Sequence, residues 1–533
     1  MHKKKNQLVL GKVSLNPLFW SLKYGVLDNG SRMRFLPYHK YLMQPMWDPH
    51  PYAVHQKGSQ LGFTVLALNK YIFYPSDCCL EIKGSPVRIL YYMPTESDVS
   101  DLSRDRVKAM ILGDQSEYLK KITDQNNLDS VGIKKIGNGT VYFRGMGGKV
   151  RTKSVPGDIL IFDELDEMIP SEKAQALHRI DHSTWKWVCE ISTPSVPGYG
   201  VNVEFERSDQ KHFFVICSVC RKENLLNKEF PDCMQYETQG SGENLKVFNA
   251  KIVCVKCRSP LNVFEGKWIA LKPNNTDRSG YCSSQLQSKY INLNETVKLF
   301  LQKKHMQLFY NHVLGLPYVD AFGQVSIKEI LACRRDYPMQ QTPSVKSSFM
   351  GVDQGDILHV IIQQILESGK IKTIFFKAVD KFQDLDQLIR KYEVVSCVID
   401  ALPNQHSARD LADRFPGRVW LNYYDKTKGE TSWDEKQSIV HTNRTETIDA
   451  ALYEIRNQQI FFPACDELDL LAQHINNLVK KEEENHETGE KRWVYIHKGD
   501  DHFGHALNYA KIARSGKTAF GSPVIYSKDS GFI

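Results

Sequence analysis

Lys57-Gly58-Ser59-Gln60-Leu61-Gly62-Phe63-Thr64 stands between a short run suited to a strand, Tyr52 to His55, and an apolar helical segment beginning at Val65. A loop that cradles phosphates needs a tight turn, inward backbone N–H groups at a helix start, and a hydroxyl for Mg²⁺. Gly62 and Thr64 fit the last Gly and the Ser/Thr of G-x-x-x-x-G-K-[ST]. Phe63 occupies the usual lysine position, and a lysine stands instead at the head of the loop, Lys57. Taken alone, a Gly-rich turn before a helix is most often only a turn. The segment Ile159-Leu160-Ile161-Phe162-Asp163-Glu164 adds the second half of a site: an apolar strand ending in two acids. The first acid suits the hydration shell of Mg²⁺, and the second can accept a proton from an attacking water. Together they predict a P-loop-type ATPase centre with Lys57, Gly58, Ser59, Gln60, Gly62, Phe63, Thr64 and Asp163 around nucleotide and Glu164 as catalytic base.

Around this pair, strand candidates at Val87 to Met93, Val141 to Phe143 and Ile159 to Phe162 alternate with helical spacing at Ser97 to Leu112, and an apolar segment runs from Trp187 to Ile191. That alternation predicts a mostly parallel α/β sheet. Ser192-Thr193-Pro194 is placed to couple phosphate state to movement, and Arg151 to reach a neighbouring subunit's γ-phosphate as an arginine finger. A plain surface arginine is the competing reading of Arg151.

Cys217-x₂-Cys220 and Cys254-x₂-Cys257 have the spacing of two zinc knuckles. Four thiolates close a tetrahedral Zn²⁺ and leave no open position, so the site is structural. Cys233 does not fit the geometry, and His212 is a weak candidate ligand. Other cysteines, such as Cys78, Cys79 and Cys397, read as small buried hydrophobes.

A second α/β region begins near Ser348, with strands at Phe349 to Asp353, His359 to Leu366 and Lys372 to Val379. A helix at Gln383 to Tyr392 leads to a strand at Val394 to Asp400. A last helix runs from about Asp501 to Ser515, and Lys480 to Arg492 reads as a solvated charged loop. Carboxylates from different elements that converge on divalent ions are the apparatus of a metal-dependent nuclease. Asp353 and Asp400 end strands, and Asp501 opens the last helix, a ribonuclease-H-like arrangement. Asp500 and His505 compete with Asp501 as third ligand, and each aspartate alone could be a strand end or a cap. Imidazole ligation would favour Mn²⁺ over Mg²⁺.

Composition bounds these readings. The 533 residues exceed one ordinary core. A hydrophobic share of 41% with no long apolar run argues against a membrane span or a secretory signal. A net charge of +7 permits nucleic-acid binding without requiring it.

In this order, the displaced-lysine loop, the Pro94-Thr95 segment after a strand, Asp163-Glu164, Ser192-Thr193-Pro194, the four cysteines and the set Asp353/Asp400/Asp501 resemble the large terminase subunits of tailed phages, particularly the lambda-like branch. The displaced lysine is itself a feature of that family. The resemblance implies an ATP- and Mg²⁺-dependent motor that forms a homo-oligomeric ring on a portal protein, pumps double-stranded DNA into a prohead, and cleaves concatemers. It also implies a small terminase subunit as partner, no membrane, and work in the host cell cytoplasm rather than in the mature virion. Many relatives place an Asp three residues after a His on the last helix; here His502 is followed by His505. The expected domains are an arm at 1–35, the ATPase motor at 36–211, a zinc-ribbon insertion at 212–268, a linker or lid at 269–345, the nuclease at 346–516 and a tail at 517–533. A helicase or repair translocase with a nuclease, or a zinc-bearing nucleic-acid scaffold, are the alternatives.

Overall fold

The computed structural model describes residues 16–146, 155–303, 305–319, 323–340, 347–425, 431–484 and 491–516. Arg151 lies outside the described residues, as do residues 1–15 of the arm and the whole tail. The chain divides into two compact units, Met1–Tyr318 and Val319–Ile533. Among the described residues no helix is long and apolar enough to cross a membrane.

Among the described residues of the first unit twelve strands form. They are β1 (Tyr52–Lys57), β2 (Val87–Met93), β3 (Ile133–Ile136), β4 (Gly139–Gly145), β5 (Ile159–Asp163), β6 (Trp187–Ser192), β7 (Lys211–Ile216), β8 (Glu223–Asn224), β9 (Met234–Gln239), β10 (Lys246–Ile252), β11 (Gly266–Ala270) and β12 (Ser279–Ser283). Ten of them make one sheet in the order β11-β7-β12-β1-β6-β5-β2-β4-β3, with β8 beside β7. From β7 to β4 every neighbouring pair is parallel. β1 and β5 are buried along nearly their whole length, as expected of parallel strands covered on both faces.

Two parts of this sheet depart from the sequence reading. The segment expected as an inserted module supplies β7, β8 and β11 to the main sheet; only the hairpin β9–β10 stands apart. Phe213 and Val215 alternate on β7 and are buried in the common core, which ties the cysteine-bearing segment to it. The region read as linker supplies β12, which pairs directly with β1. β12 is the short run Ser-Gly-Tyr-Cys-Ser, too small and polar to announce a central strand. The arm joins the core as well, because Leu18, Trp20 and Val26 are buried in it.

The second unit carries β13 (Ser348–Gln354), β14 (Leu358–Ile365), β15 (Ile371–Val379), β16 (Val394–Asp400), β17 (Val419–Asp425), β18 (Ser432–Asp434), β19 (Ile439–Asn443), β20 (Ile460–Phe461), β21 (Leu478–Glu484) and β22 (Lys491–His497). Eight form a mixed sheet, β18-β19-β17-β16-β13-β14-β15-β20, in which β13, β14 and β15 are antiparallel and β16 and β17 run parallel to β13. The charged run expected as a loop instead contributes the antiparallel pair β21–β22. Its charges sit on strands whose apolar members, Leu478, Val479 and Tyr495, are buried.

Helix Phe382–Lys391 covers one face of this sheet through Leu385 and Ile389. Helix His502–Ser515 packs on the other through Tyr509 and Ile512. The second contact is backbone on backbone: a Cβ on Gly351 of β13 would come within 2.1 Å of Ala506 O and of Ala510 N. Gly351→Ala should therefore destabilise this unit by about 1–3 kcal/mol or more, read as a lowered Tm in calorimetry, since strand or helix must move to make room.

Candidate functional site

β1, β6 and β5 end nearly flush, with Gln56 beside Ser192 and Asp163 beside Ile191. The register puts Lys57, Thr193, Asp163 and Glu164 at one sheet edge, the place where open α/β sheets hold ligands. Lys57 Nζ donates to Glu164 Oε1 at 3.0 Å and to Thr193 Oγ1 at 3.3 Å. Thr64 Oγ1 donates to Asp163 Oδ2 at 2.9 Å, and the Tyr91 hydroxyl donates to the same oxygen at 2.6 Å. Asp163 Oδ1 is buried with no hydrogen-bond partner. Burial, and then the Glu164 charge, push the Asp163 carboxyl above its usual range. A bare carboxylate oxygen in a desolvated pocket is costly unless a cation faces it.

The loop enters the left-handed region in two places. Gln60 has φ 57° and Gly62 φ 81°, so only the second conformation comes without side-chain cost. Gly62 leads directly into a helix that begins at Phe63 and continues through a π-helical stretch, Leu68–Phe73, to Ile82. The first backbone N–H groups of that helix lack intrahelical partners and can take phosphate oxygens. Gly58 approaches His312 O so closely that a Cβ would lie 2.6 Å from it. Ser59 N donates to that same carbonyl, and Gln285 Nε2 donates to Ser59 O. Phe63 turns inward: its ring lies 5.0 Å from that of His55, and it is buried. Its side chain is thus a core element, and only its backbone is available to a nucleotide.

Glu164 sits at φ 58°, a left-handed backbone that costs a non-glycine residue about 1–3 kcal/mol. Beyond it Asp166 accepts from Ser195 N at 2.7 Å, Ser195 Oγ at 2.6 Å and Val201 N at 2.7 Å. Asn202 Nδ2 in turn donates to Gln56 Oε1 at 3.0 Å. The strand end that carries Glu164 is thereby tied to the segment after Thr193, and that segment to β1.

The four cysteines form a separate cluster, their sulfurs within 4.8 Å of one another. Cys217 Sγ lies 3.6 Å from Cys257 Sγ, and Cys220 Sγ 3.6 Å from Cys254 Sγ. Hydrogen bonding with Ser259 brings the Cys257 thiol down to about 6, which supplies thiolate at neutral pH. Cys233 is apart, with its Sγ directed at Leu226 O, and His212 packs edge-on against Phe205. Cys78, Cys79 and Cys397 are buried.

In the second unit Asp353 and Asp400 reach neighbouring parallel strand ends, since Val352 pairs with Ile399 and Gln354 Nε2 donates to Asp400 O at 2.6 Å. Burial pushes the Asp400 carboxyl up. Asp501 does not cap the last helix with its side chain. Its Oδ2 instead faces His505 Nε2 at 3.1 Å and His497 Nδ1 at 3.6 Å. Burial works against its charge, but these two hydrogen bonds hold its carboxyl well below the usual range. Asp500 is exposed. His505 Nε2 also meets Arg444 Nη2 at 3.2 Å. His502, rather than Asp501, touches Asp353, Nδ1 to Oδ2 at 2.9 Å.

Residues 29–270 match the family model described as phage terminase large subunit gpA, ATPase domain. These residues belong to the ATPase domain family of phage terminase large subunits. The resemblance carried by the loop, the acidic strand end and the segment after β6 is thereby borne out. A large terminase from a thermophilic bacteriophage is 12% identical over 90% of this chain and 98% of its own, with a TM-score of 0.32. The large terminase ATPase domain of Thermus phage P74-26 is 11% identical over 56% of this chain and 98% of its own, TM-score 0.32. The large terminase nuclease of thermophilic phage G20c is 12% identical over 35% and 96%, TM-score 0.24. No curated protein matches the sequence.

Three residues of the two candidate sites were not legible beforehand. Tyr91 lies mid-strand in an apolar run, and nothing local marks its hydroxyl. His359 opposes Asp353 only through the β13–β14 register, which the hairpin spacing could have suggested. His474 arrives from the distant helix Leu468–Asn476. Tyr91→Phe should leave the terminase domain folded. It should raise the Mg²⁺ concentration for half-maximal ATPase about tenfold, since hydrogen bonds to charged groups contribute about 1.5–3 kcal/mol. A magnesium titration of turnover checks it, and an unchanged midpoint would show that Asp163 needs no help from this hydroxyl.

Proposed function

We propose that the chain is the motor and nuclease of viral DNA packaging. The observation that carries this reading is the convergence of Lys57, Thr64, Asp163 and Glu164 at one sheet edge inside residues assigned to the terminase ATPase family. Lys57 is placed to bind the β/γ-phosphates of ATP, and the Thr64 hydroxyl and bare Asp163 Oδ1 to face Mg²⁺. The metal, when bound, neutralises charge on the phosphates. Glu164 is paired with Lys57 at 3.0 Å. A γ-phosphate competes for the ammonium and frees the carboxylate to orient water and take its proton. Thr193 bonds the same ammonium, so the change passes through Ser195, Asp166 and Val201 to the segment beyond. Arg151 is kept as the arginine finger of a neighbouring subunit in a ring on the portal. DNA grip is mainly to phosphates, because packaging must be indifferent to sequence.

The second unit serves as the metal-dependent endonuclease of ribonuclease-H-like type. Support comes from the antiparallel trio β13–β15 followed by parallel β16 and β17, with Asp353 and Asp400 at adjacent strand ends. Asp353 and Asp400 would hold Mg²⁺ or Mn²⁺ there, which would supply Lewis-acid stabilisation for phosphodiester cleavage. The four cysteines would hold a structural Zn²⁺, for which their spacing and free sulfurs fit. Partners are double-stranded DNA, a small terminase subunit and a portal protein, in the host cell cytoplasm.

Glu164→Ala should lower ATP turnover by about 10²–10⁴-fold with duplex binding retained. Asp353→Ala should abolish plasmid cleavage with ATPase retained. Loss of both activities in either folded variant would defeat the two-site division, and strand displacement by the wild type would favour a helicase. Elemental analysis should find about one Zn²⁺ per chain. Cys254→Ser should lose it and lower the Tm of the first unit, because a structural ion contributes folding energy.

A further inference from the structure

Asp353 and His359 face one another across the antiparallel pair β13–β14, in register. His502 at the start of the last helix reaches the same point, its Nδ1 2.9 Å from Asp353 Oδ2. The rings of His359 and His502 stack with centroids 4.6 Å apart and planes 15° from parallel. One ligand atom from each of the three residues lies within 4.8 Å of the others. His359 Nδ1 is buried with no hydrogen-bond partner, on a residue only 9% exposed. His474 closes a further side, its ring 5.7 Å from that of His359 and 6.0 Å from that of His502. Asp501, by contrast, is already engaged by His497 and His505.

An octahedral ion with bonds of about 2.1 Å sets its ligands roughly 3–4 Å apart. The three ligand atoms, within 4.8 Å of one another, are close to that span, and the terminal torsions of His and Asp are soft. Two imidazoles and one carboxylate suit first-row transition ions, whereas Mg²⁺ prefers an all-oxygen shell with several waters. We propose that Asp353, His359 and His502 form a two-histidine, one-carboxylate site that binds a divalent transition ion, with Mn²⁺ bound in preference to Mg²⁺. Use of that ion in phosphodiester cleavage rests on the nuclease reading above; the binding itself does not. The site assigns His359 and His502, and not Asp501, as the partners of Asp353 on its ion.

Mn²⁺ is the probe of choice, because the soft four-thiolate cluster does not compete well for it. Electron paramagnetic resonance of the full chain should show bound Mn²⁺ with nitrogen coupling from directly ligated imidazole. His359→Ala and His502→Ala should each remove or reduce that coupling and weaken Mn²⁺ binding about tenfold or more. His359→Gln, closer in size, guards against loss through misfolding and should do the same at an unchanged Tm. Excess Mg²⁺ should displace the ion poorly. The inference is overturned by absence of Mn²⁺ binding, by bound Mn²⁺ without nitrogen coupling, by coupling undiminished in all three variants, or by coupling lost only in His505→Ala. Plasmid cleavage is read on the same samples. Cleavage without nitrogen coupling overturns the histidine site alone, and nitrogen-coupled Mn²⁺ without cleavage overturns the nuclease reading alone.

Discussion

Adjacent parallel strands of matched register finish at a common edge, and side chains just past their last residues are forced together. Both units depend on this constraint. In the first, β1, β6 and β5 deliver Lys57, Thr193, Asp163 and Glu164 to one line. In the second, β13 and β16 deliver Asp353 and Asp400 side by side. Hydrogen-bond register between neighbouring backbones thus does the positioning, and the chemistry borrows the rigidity of the sheet.

Crowding charge at such an edge is electrostatically expensive, and the two units offset the cost differently. Lys57 and Glu164 answer each other directly, so neither is left bare. Asp163 is answered on one oxygen by two hydroxyls and left open on the other. Around Asp353 and Asp501 the answering groups are imidazoles. Imidazoles can hydrogen-bond a carboxylate or ligate an ion without carrying charge of their own. The left-handed backbone of Glu164 carries strain beside the acidic pair, and Asp166 ties the turn that follows to Ser195 and Val201.

How far the site could be read in advance depended on whether its residues carry a local signature. The phosphate loop does, because Gly62 must reach φ 81° and Thr64 must follow on a helix. The acidic ending of β5 does, because four apolar residues before two carboxylates are unusual. The cysteines do, by spacing alone. Tyr91 does not, since a tyrosine in a buried strand looks like any other core aromatic until its hydroxyl is seen 2.6 Å from Asp163. Nor does β12, whose small polar residues are accepted at the sheet centre only because β1 and β7 bond its backbone on both sides. The pair β21–β22 was hidden by its own charges.

The sequence by itself determined the order of elements, the presence of an ATPase-type loop with its lysine moved to position 57, and the candidate acids at strand ends. Those are properties of a few contiguous residues, where periodicity, glycine conformation and side-chain chemistry act over short range. Tertiary structure alone decided that Phe63 serves the core, that the cysteine segment belongs to the main sheet, and that Asp353 meets His359 and His502 while Asp501 turns to His497 and His505. Each of these is a pairing between segments distant along the chain. It is settled by which backbones share a hydrogen-bond register and how closely a helix can approach a strand, as at Gly351, and no local pattern encodes that distance.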